Sequence, residues 1–213
     1  MIARLFGFFA TLPMRFYSQK ILEPRVVKHE KWVDYLSENF NKPGFRVLEI
    51  GSREVIRPSL RKYFDLSQYV GFDFHAGKNV DIVGDVHRLS EYIEQEEKFD
   101  LIFCTAVFEH LHMPWVAASE MSKVLKDGGY IFVETHFSFN SHERPWHFFQ
   151  FSDNGLKSLF NNKMGFEVID SGMSNPMIGY FSHKAVRYLS FLPIVEMYCH
   201  SEILVKKVKH IEA

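Results

Sequence analysis

Residues 45–51 read FRVLEIG, and this stretch decides how the rest of the chain is interpreted. Its apolar residues favour a β-strand, and the turn-forming pair Pro43-Gly44 precedes them. A buried strand that ends in Glu49, a final apolar residue and Gly51 is typical of an open α/β sheet. Such sheets bind nucleotide-like ligands beyond the carboxyl ends of their strands. The stretch therefore predicts a ligand site just after Gly51.

The bulk composition is that of an ordinary globular protein. The 213 residues suffice for one sizeable α/β domain, with 46% hydrophobic and 24% charged residues. The formal net charge of −1 supplies no basic field, so we expect no nucleic-acid partner. Cys104 and Cys199 are too few for a disulfide framework or a thiolate zinc site, which favours a reducing, cytoplasmic location.

Residues 1–20 contain the longest apolar run, MIARLFGFFATLPM. The run is too short for a membrane span and lacks a small-residue cleavage site, so neither a transmembrane helix nor a secretory signal is predicted. Ile2, Leu5, Phe6 and Phe9 share one helical face, with cations nearby. Two interpretations stay open: peripheral contact with the inner face of a membrane, or a helix packed on the domain.

Strand-like and helix-like segments alternate along the chain. We expect strands at residues 45–50, 68–74, 79–83, 99–105, 130–134, 165–170 and 203–208. We expect helices at residues 25–40, 91–98, from Pro114 to the turn at 127–129, from the N-cap Ser152 to 160, a short one within 52–65, and partial helix at 177–192. The alternation predicts one mainly parallel sheet covered on both faces.

Two acids follow later strands at positions suited to a nucleoside. Asp73 closes the second strand about twenty residues after Gly51, the spacing at which a nucleotide fold presents an acid to ribose hydroxyls. The alternative for Asp73 is a turn acid. Asp85 would accept from an adenine amino group, or would cap a helix. Gly51 would let the backbone approach a ligand, and the helix N-terminus expected after it favours an anionic group.

Residues 99–134 carry the most specific pattern, with Glu109-His110, then Pro114, Glu120 and the run KVLKDGG. This segment resembles the class I S-adenosylmethionine-dependent methyltransferases, in the small-molecule, type 11-like branch. The earlier runs VLEIGSR, GFDF and GDVHRLS match the first three motifs of that family in order. Four ordered motifs are far more specific than one.

The resemblance implies an enzyme whose cofactor is S-adenosylmethionine. It implies a Rossmann-like α/β fold with a seven-stranded, mainly parallel sheet, helices on both faces and an antiparallel last strand. It also implies one methyltransferase domain over residues 1–213. Within it, residues 1–42 form N-terminal helices or a lid, 45–135 the cofactor-binding core, and 136–213 the acceptor-side loop and C-terminal strands.

Cofactor contacts are implied at the ends of the first four strands. Gly51 passes close to the methionine end, Asp73 holds the ribose, and Asp85 with the backbone of Val86 faces the adenine. The full set of expected cofactor-binding residues is Glu49, Gly51, Ser52, Asp73, Phe74, Asp85, Val86, Cys104, Thr105 and Glu109.

Three residues depart from the family pattern. Arg53 stands where a second glycine is frequent, and His147 and Gln150 replace an acid and an arginine of related, often glycan- or lipid-associated, bacterial enzymes. These departures motivate an alternative, a catalytically inactive binding or scaffold protein at a membrane surface. A dinucleotide-dependent oxidoreductase is disfavoured, because the chain lacks a phosphate-cradling set of glycines.

Histidines concentrate in the segments expected at the carboxyl edge of the sheet: His110, His112, His136, His142 and His147. Their irregular spacing predicts no metal site. We expect His142, His136 and His110 as catalytic residues, with a histidine taking a hydroxyl proton; the alternative is that they line a loop. The aromatic loop at 136–151 indicates a small-molecule, saccharide or lipid-linked glycan acceptor, methylated on oxygen or nitrogen.

Overall fold

The computed structural model describes residues 22–55, 58–94 and 96–208. Within these ranges one sheet contains seven strands: β1 (Arg46–Ile50), β2 (Gln68–Asp73), β3 (Ile82–Val83), β4 (Phe99–Thr105), β5 (Leu125–His136), β6 (Phe166–Tyr180) and β7 (Pro193–Lys207). Their order in the sheet is β3-β2-β1-β4-β5-β7-β6. Strands β1 to β5 pair in parallel, and β7 lies antiparallel between β5 and β6. The predicted Rossmann-like sheet is confirmed, including its antiparallel last strand.

Three α-helices lie in the described ranges: α1 (Trp32–Phe40), α2 (Pro114–Val124) and α3 (Asp153–Leu159). Pro114 opens α2, where its missing N–H would have no helical partner. Ser152 caps α3 by accepting a hydrogen bond from Gly155 N at 3.0 Å, as predicted. No helix of the described residues is long and apolar enough to cross a membrane.

Helices cover both faces of the sheet. On one face Trp32 of α1 stacks on Phe132, with ring centroids 5.0 Å apart, and Phe64 stacks on Phe103 at 5.4 Å. On the other face α2 and α3 bury their apolar side chains against β4, β5 and β7. Many of the phenylalanines are buried in this core, where each aromatic ring removes a large apolar area from water.

The helix predicted over residues 25–40 begins only at Trp32. The residues before it bond to the edge strand β6 instead: Val26 N and Val27 N donate to Asp170 Oδ2 at 2.7 and 3.3 Å. In a helix starting at residue 25 these N–H groups would lie in the first turn without an internal acceptor, whereas Asp170 satisfies them. The prediction was therefore wrong for the first turns of this helix.

The charged helix predicted at residues 91–98 is not formed in the described part of that segment. A 3-10 helix at Val86–Glu91 precedes it, and turns and bends follow. A surface helix needs an apolar stripe to bury, and the buried side chains here are Val86, Leu89 and Ile93. The glutamates that follow supply no such stripe.

Strand β5 starts at Leu125, directly after α2, rather than at residue 130. Leu125 pairs with Phe99, so the chain enters the sheet before the glycine turn that was expected to end the helix. That part of the prediction was wrong, because the residues from Leu125 onward pair with β4 instead of continuing the helix.

Strands β6 and β7 are more than twice as long as the segments 165–170 and 203–208 predicted. Strand β5 pairs with β7 only up to His136 opposite His200, and beyond that β6 and β7 continue as a two-stranded ribbon. Residues 177–192, expected to be partly helical, form the end of this ribbon and its turn. Backbone pairing builds the ribbon without a regular apolar pattern, so the periodicity did not predict it.

Candidate active site

The carboxyl ends of four neighbouring parallel strands meet at one edge of the sheet. Ile50 of β1 pairs with both Phe72 of β2 and Cys104 of β4, and Thr105 pairs with Glu134 of β5. The residues that follow these positions therefore lie side by side. The ligand site that the sequence predicts just after Gly51 would lie at this edge.

Gly51 turns the chain out of β1 with a φ of +81°. A Cβ at this position would lie 2.4 Å from Val107 Cγ2, so both the left-handed backbone and the neighbouring side chain require glycine. The close packing of Gly51 against Val107 is a structural reason for this glycine, and approach of its backbone to a ligand stays a prediction. The short helix expected within residues 52–65 is the 3-10 helix at Arg61–Tyr63.

Asp73 holds the turn that follows β1. Its Oδ2 accepts from Arg53 N at 3.1 Å and its Oδ1 from His75 N at 2.9 Å. Arg53 Nε lies 3.7 Å from Asp73 Oδ1, and the arginine stem packs beside Gly77. Asp73 is thus a turn acid, as one interpretation held. A carboxylate has about four acceptor sites, so it retains capacity for a ligand hydroxyl.

Asp85 caps the 3-10 helix at Val86–Glu91. Its Oδ1 accepts from His87 N at 2.9 Å and lies 2.7 Å from His87 Nδ1. Burial would raise the pKa of Asp85, but the hydrogen bonds from His87 outweigh it and hold that pKa below its ordinary value. The helix-capping alternative for Asp85 is therefore what the structure shows.

Two buried hydroxyls at this edge have no hydrogen-bond partner: Ser52 Oγ after β1 and Thr105 Oγ1 at the end of β4. Buried polar atoms are normally paired, so both point to a polar ligand at the strand ends. Glu49 is buried and accepts from the Tyr69 hydroxyl, and Cys104 is buried in the apolar core. The donors and acceptors at this edge fit a nucleoside cofactor with a polar amino-acid end.

Phe74 follows Asp73 and is 66% exposed. It is the one large apolar side chain among the expected cofactor residues that faces solvent in the described structure. An exposed ring beside a nucleotide-type edge offers a flat apolar surface.

The acceptor side contains a group that we call the histidine cluster: Glu109, His110, His136, His142 and His147. Glu109 is fully buried; its Oε2 accepts from Thr135 Oγ1 at 2.7 Å and its Oε1 lies 2.8 Å from His136 Nδ1. Burial would raise the pKa of Glu109, but His136 and Thr135 outweigh it and lower that pKa. Glu109 therefore carries its charge at neutral pH.

The ring of His142 occupies the middle of the histidine cluster. Its centroid lies 4.8 Å from that of His110, 4.7 Å from that of His147 and 5.5 Å from that of His136. His142 Nδ1 is 3.0 Å from the carbonyl oxygen of Asn140. Because a carbonyl can only accept, Nδ1 carries the proton of the neutral ring, and Nε2 then has a free lone pair. Burial and the neighbouring histidines lower the pKa of His147.

Four of the five predicted histidines therefore come together, and His112 does not. Its ring lies 4.4 Å from that of His87, on the side of Asp85. The 3-10 helix at Phe108–His110 turns the chain between His110 and His112, so His112 lies outside the histidine cluster.

A second polar group was missed by the sequence reasoning. Glu134 and Glu202 face each other across β5 and β7, and His29 Nδ1 lies 2.8 Å from Glu134 Oε2. The ring of His200 stacks on that of His29 at 4.0 Å and lies 5.5 Å from that of His136. The two groups are thus neighbours at the same edge. Acids within the runs YIFVE and SEILV were the one signal that could have pointed to it.

Burial sets the charge states of this second group. It raises the pKa of Glu202 to about 8 and lowers the pKa of His200 to about 4. The hydrogen bond to Glu134 raises the pKa of His29. In two groups of the described residues, one ligand atom from each of three side chains lies within 4.8 Å of the others: Glu109, His136 and His142, and His29, Glu134 and Glu202.

Comparison with known proteins agrees with this geometry. A family model described as a methyltransferase domain matches residues 22–170. No curated protein matches the chain.

Solved structures show the same fold. A Burkholderia thailandensis 1,6-didemethyltoxoflavin-N1-methyltransferase, solved with 1,6-didemethyltoxoflavin and S-adenosylhomocysteine, superposes with a TM-score of 0.57 at 14% identity, over 83% of this chain and 76% of that one. An S-adenosylmethionine-dependent methyltransferase from Archaeoglobus fulgidus gives 0.55 at 16% identity, over 84% and 96%. One from Clostridium acetobutylicum gives 0.55 at 10% identity, over 98% and 99%.

The family match covers well over half of the chain, and the solved structures share its fold. S-Adenosylmethionine is accordingly the cofactor. The chain belongs to the class I S-adenosylmethionine-dependent methyltransferases.

Proposed function

We propose that this methyltransferase acts on an oxygen or nitrogen of a small molecule, a saccharide or a lipid-linked glycan. The observation that carries the proposal is the histidine cluster, a buried carboxylate surrounded by imidazoles beside the strand ends. When bound, the cofactor supplies a methyl group on a positively charged sulfur. The residues of the chain supply positioning, exclusion of water and a place for the proton.

The cofactor-side residues are assigned from their positions at the sheet edge. Asp73 would hold the ribose hydroxyls, and the unpaired hydroxyls of Ser52 and Thr105 would meet polar groups of the amino-acid end. Asp85 and the backbone of Val86 would face the adenine. The remaining expected contacts are Glu49, Gly51, Phe74, Cys104 and Glu109.

On the acceptor side His142 is the proposed base. With its Nδ1 proton directed to the carbonyl of Asn140, its Nε2 can take a hydroxyl proton. The charge that then forms on the ring is favoured by the Glu109 carboxylate, which lies within the same cluster. His136 and His110 would orient the acceptor. A nitrogen acceptor would need only an uncharged lone pair in the same place.

The aromatic side chains of the loop after β5 indicate the kind of acceptor. Phe139 stacks on His136 at 4.3 Å and is 44% exposed, and Trp146 and Phe148 are exposed as well. Flat, partly exposed rings suit the apolar faces of sugars or of small hydrophobic molecules. This supports the proposed acceptor classes over a highly charged substrate.

Replacing His142 with alanine tests the base. We expect methyl transfer from labelled S-adenosylmethionine into a cell extract to fall about 10²–10⁴-fold, the usual loss for a general base. Affinity for S-adenosylhomocysteine, measured by calorimetry, should change little. The matched control is His183→Ala, in the exposed turn of the ribbon. Unchanged turnover in His142→Ala would leave His142 as a loop residue without a role in proton transfer.

A second candidate function, a binding or scaffold protein without turnover, is favoured by one observation. Arg53 occupies the place of a family glycine, with Nε 3.7 Å from the carboxylate assigned to the ribose. Titration with S-adenosylmethionine separates the candidates. Micromolar binding by the natural chain supports the enzyme; binding that appears only in Arg53→Gly supports the scaffold.

We propose that the chain acts as one methyltransferase domain in which residues 1–42 cover the site, 45–135 bind the cofactor and 136–213 receive the acceptor. The bonds from Val26 and Val27 to Asp170 support this, because they hold the start of the described chain against β6. A chain that lacks residues 1–42 should lose more turnover than affinity for the cofactor.

A cytoplasmic location, at the inner face of a membrane, is proposed from the amphipathic pattern of residues 1–20 and the scarcity of cysteines. Residues 1–20 lie outside the described residues. Liposome flotation of the full chain and of a chain lacking residues 1–20 tests the contact. Equal partitioning of the two would exclude it.

A further inference from the structure

We propose that His29, Glu134 and Glu202 form a binding site for a divalent cation of the zinc class, distinct from the histidine cluster. The three side chains come from the segment before α1, from β5 and from β7. One ligand atom from each lies within 4.8 Å of the others. Nitrogen and oxygen ligands lie about 2.0–2.2 Å from a zinc ion. Small side-chain rotations would place all three ligand atoms at that distance from one ion.

The site offers a cation two buried carboxyl groups and an imidazole. Glu134 and Glu202 are both buried and lie directly opposite each other in the register of β5 and β7. Among the residues that the structure describes, no lysine or arginine forms an ion pair with either carboxylate. Two adjacent carboxylates removed from water are costly unless positive charge or a proton is supplied.

An unpaired atom points into the site. Glu202 is fully buried, and its Oε2 has no hydrogen-bond partner. Its other oxygen accepts from the Ser174 hydroxyl, which fixes the orientation of the carboxylate. Supporting hydrogen bonds of this kind are typical of metal ligands. The unpaired oxygen of Glu202 is therefore available to a cation, together with a carboxylate oxygen of Glu134 and the imidazole of His29.

The donor set selects the class of ion. One imidazole and two carboxylates suit Zn²⁺ and Mn²⁺, whereas Mg²⁺ prefers oxygen ligands alone in near-ideal octahedral geometry. Three protein ligands leave at least one position for water. The side chain of His29 is 41% exposed, which gives an ion a path from solvent.

An ion at this site would join the segment before α1 to the middle of the sheet edge. That segment is already tied to β6 by the bond from Met173 N to Leu22 O at 3.0 Å and by the Asp170 contacts. Metal coordination through His29 would add a third attachment, beside His200 and the histidine cluster. The proposal does not depend on which acceptor the enzyme methylates.

Calorimetric titration of the tag-free, chelator-treated full chain with ZnCl2 and with MgCl2 tests the site. We expect one Zn²⁺ per chain at micromolar or tighter affinity and at least tenfold weaker binding of Mg²⁺. His29→Ala removes a partly exposed ligand and should weaken Zn²⁺ binding at least tenfold. Glu167→Gln, an exposed acid on β6, is the matched control and should bind as the natural chain does.

Glu202→Gln gives a second readout that does not depend on loss of folding. It keeps the size of the side chain and replaces a carboxylate ligand with an amide, so the metal-free variant should melt close to the natural chain, while the rise caused by Zn²⁺ should disappear. A full Zn²⁺-induced rise in both Glu202→Gln and His29→Ala would overturn the proposal. So would Zn²⁺ binding that is lost only in His142→Ala, because the ion would then sit in the histidine cluster. Binding of Zn²⁺ leaves the proposed methyl transfer a separate question, since turnover is assayed independently with labelled cofactor.

Discussion

Asp73 is the residue on which the assignment of the cofactor site depends most. Its two oxygens already accept from Arg53 N and His75 N, so it orders the turn after β1 as well as presenting a charge. The arginine beside it is unusual for the family and lies within 3.7 Å of Oδ1. The effect of replacing Asp73 on affinity for the cofactor shows whether its carboxylate also binds the ribose hydroxyls.

Replacing Asp73 should weaken cofactor binding strongly. Hydrogen bonds to a charged group are worth about 1.5–3 kcal/mol, which corresponds to about 10–100-fold in affinity. We expect Asp73→Ala to lose that much affinity for S-adenosylhomocysteine by calorimetry, and Asp73→Asn to lose part of it while keeping the turn. Asp127→Ala, which removes an exposed acid of β5, is the control. Natural affinity in Asp73→Ala would refute the ribose assignment.

At the scale of elements, Glu120 attaches α2 to the 3-10 helix at Val86–Glu91 that Asp85 caps. The buried carboxylate accepts from Ser90 N at 2.8 Å and from Ser90 Oγ at 2.6 Å, and Lys123 bonds to its other oxygen. Burial would raise the pKa of Glu120, but Lys123 and Ser90 outweigh it and lower that pKa. The contact therefore requires the charged form.

Glu120→Gln should lower the free energy of unfolding at pH 7 by about 1.5–3 kcal/mol, the range for hydrogen bonds to a charged group. Since the folded pKa is depressed, the stabilisation is present above the unfolded pKa and is lost as pH falls through the folded pKa. Urea unfolding at pH 7 and below pH 4.5 should show the difference between variant and natural chain shrinking in acid. A difference that is constant with pH would contradict the charged contact.

Asp170 attaches the segment before α1 to β6 through Val26 N and Val27 N. Asp170→Ala leaves both amides without their acceptor, and we expect their hydrogen exchange to accelerate at least tenfold, because each lost bond to a charged group is worth about 1.5–3 kcal/mol. Mass-spectrometric exchange of peptides from residues 22–31 measures it, with Glu167→Gln as control. Unchanged exchange would show that other contacts hold the segment.

The elements that could be predicted are those whose apolar residues recur at the spacing of a helix or a strand. Strand β4 was predicted to the residue, since its apolar run at residues 101–104 is buried on both faces of the sheet. The outer halves of β6 and β7 were not, because backbone pairing sustains them where the pattern has ended. The start of α1 was misplaced because its competitor, a carboxylate on β6, is distant in sequence.

For the whole molecule, the order of the motifs predicted the sheet and the edge at which the site lies. It also predicted that Glu109, His136 and His142 lie at this edge, since Glu109 follows β4, His136 ends β5 and His142 follows β5. It could not predict the group of His29, Glu134 and Glu202, because that contact depends on the register between β5 and β7. Nor could it show that Gly51 accommodates Val107.

The central claim is that this chain binds and uses S-adenosylmethionine at the carboxyl edge of β1, β2 and β4. Calorimetric titration of the full natural chain with S-adenosylmethionine and with S-adenosylhomocysteine tests it most directly. The account predicts one site per chain with micromolar affinity for both, and no comparable binding of NAD. Absence of micromolar binding of either compound would contradict it.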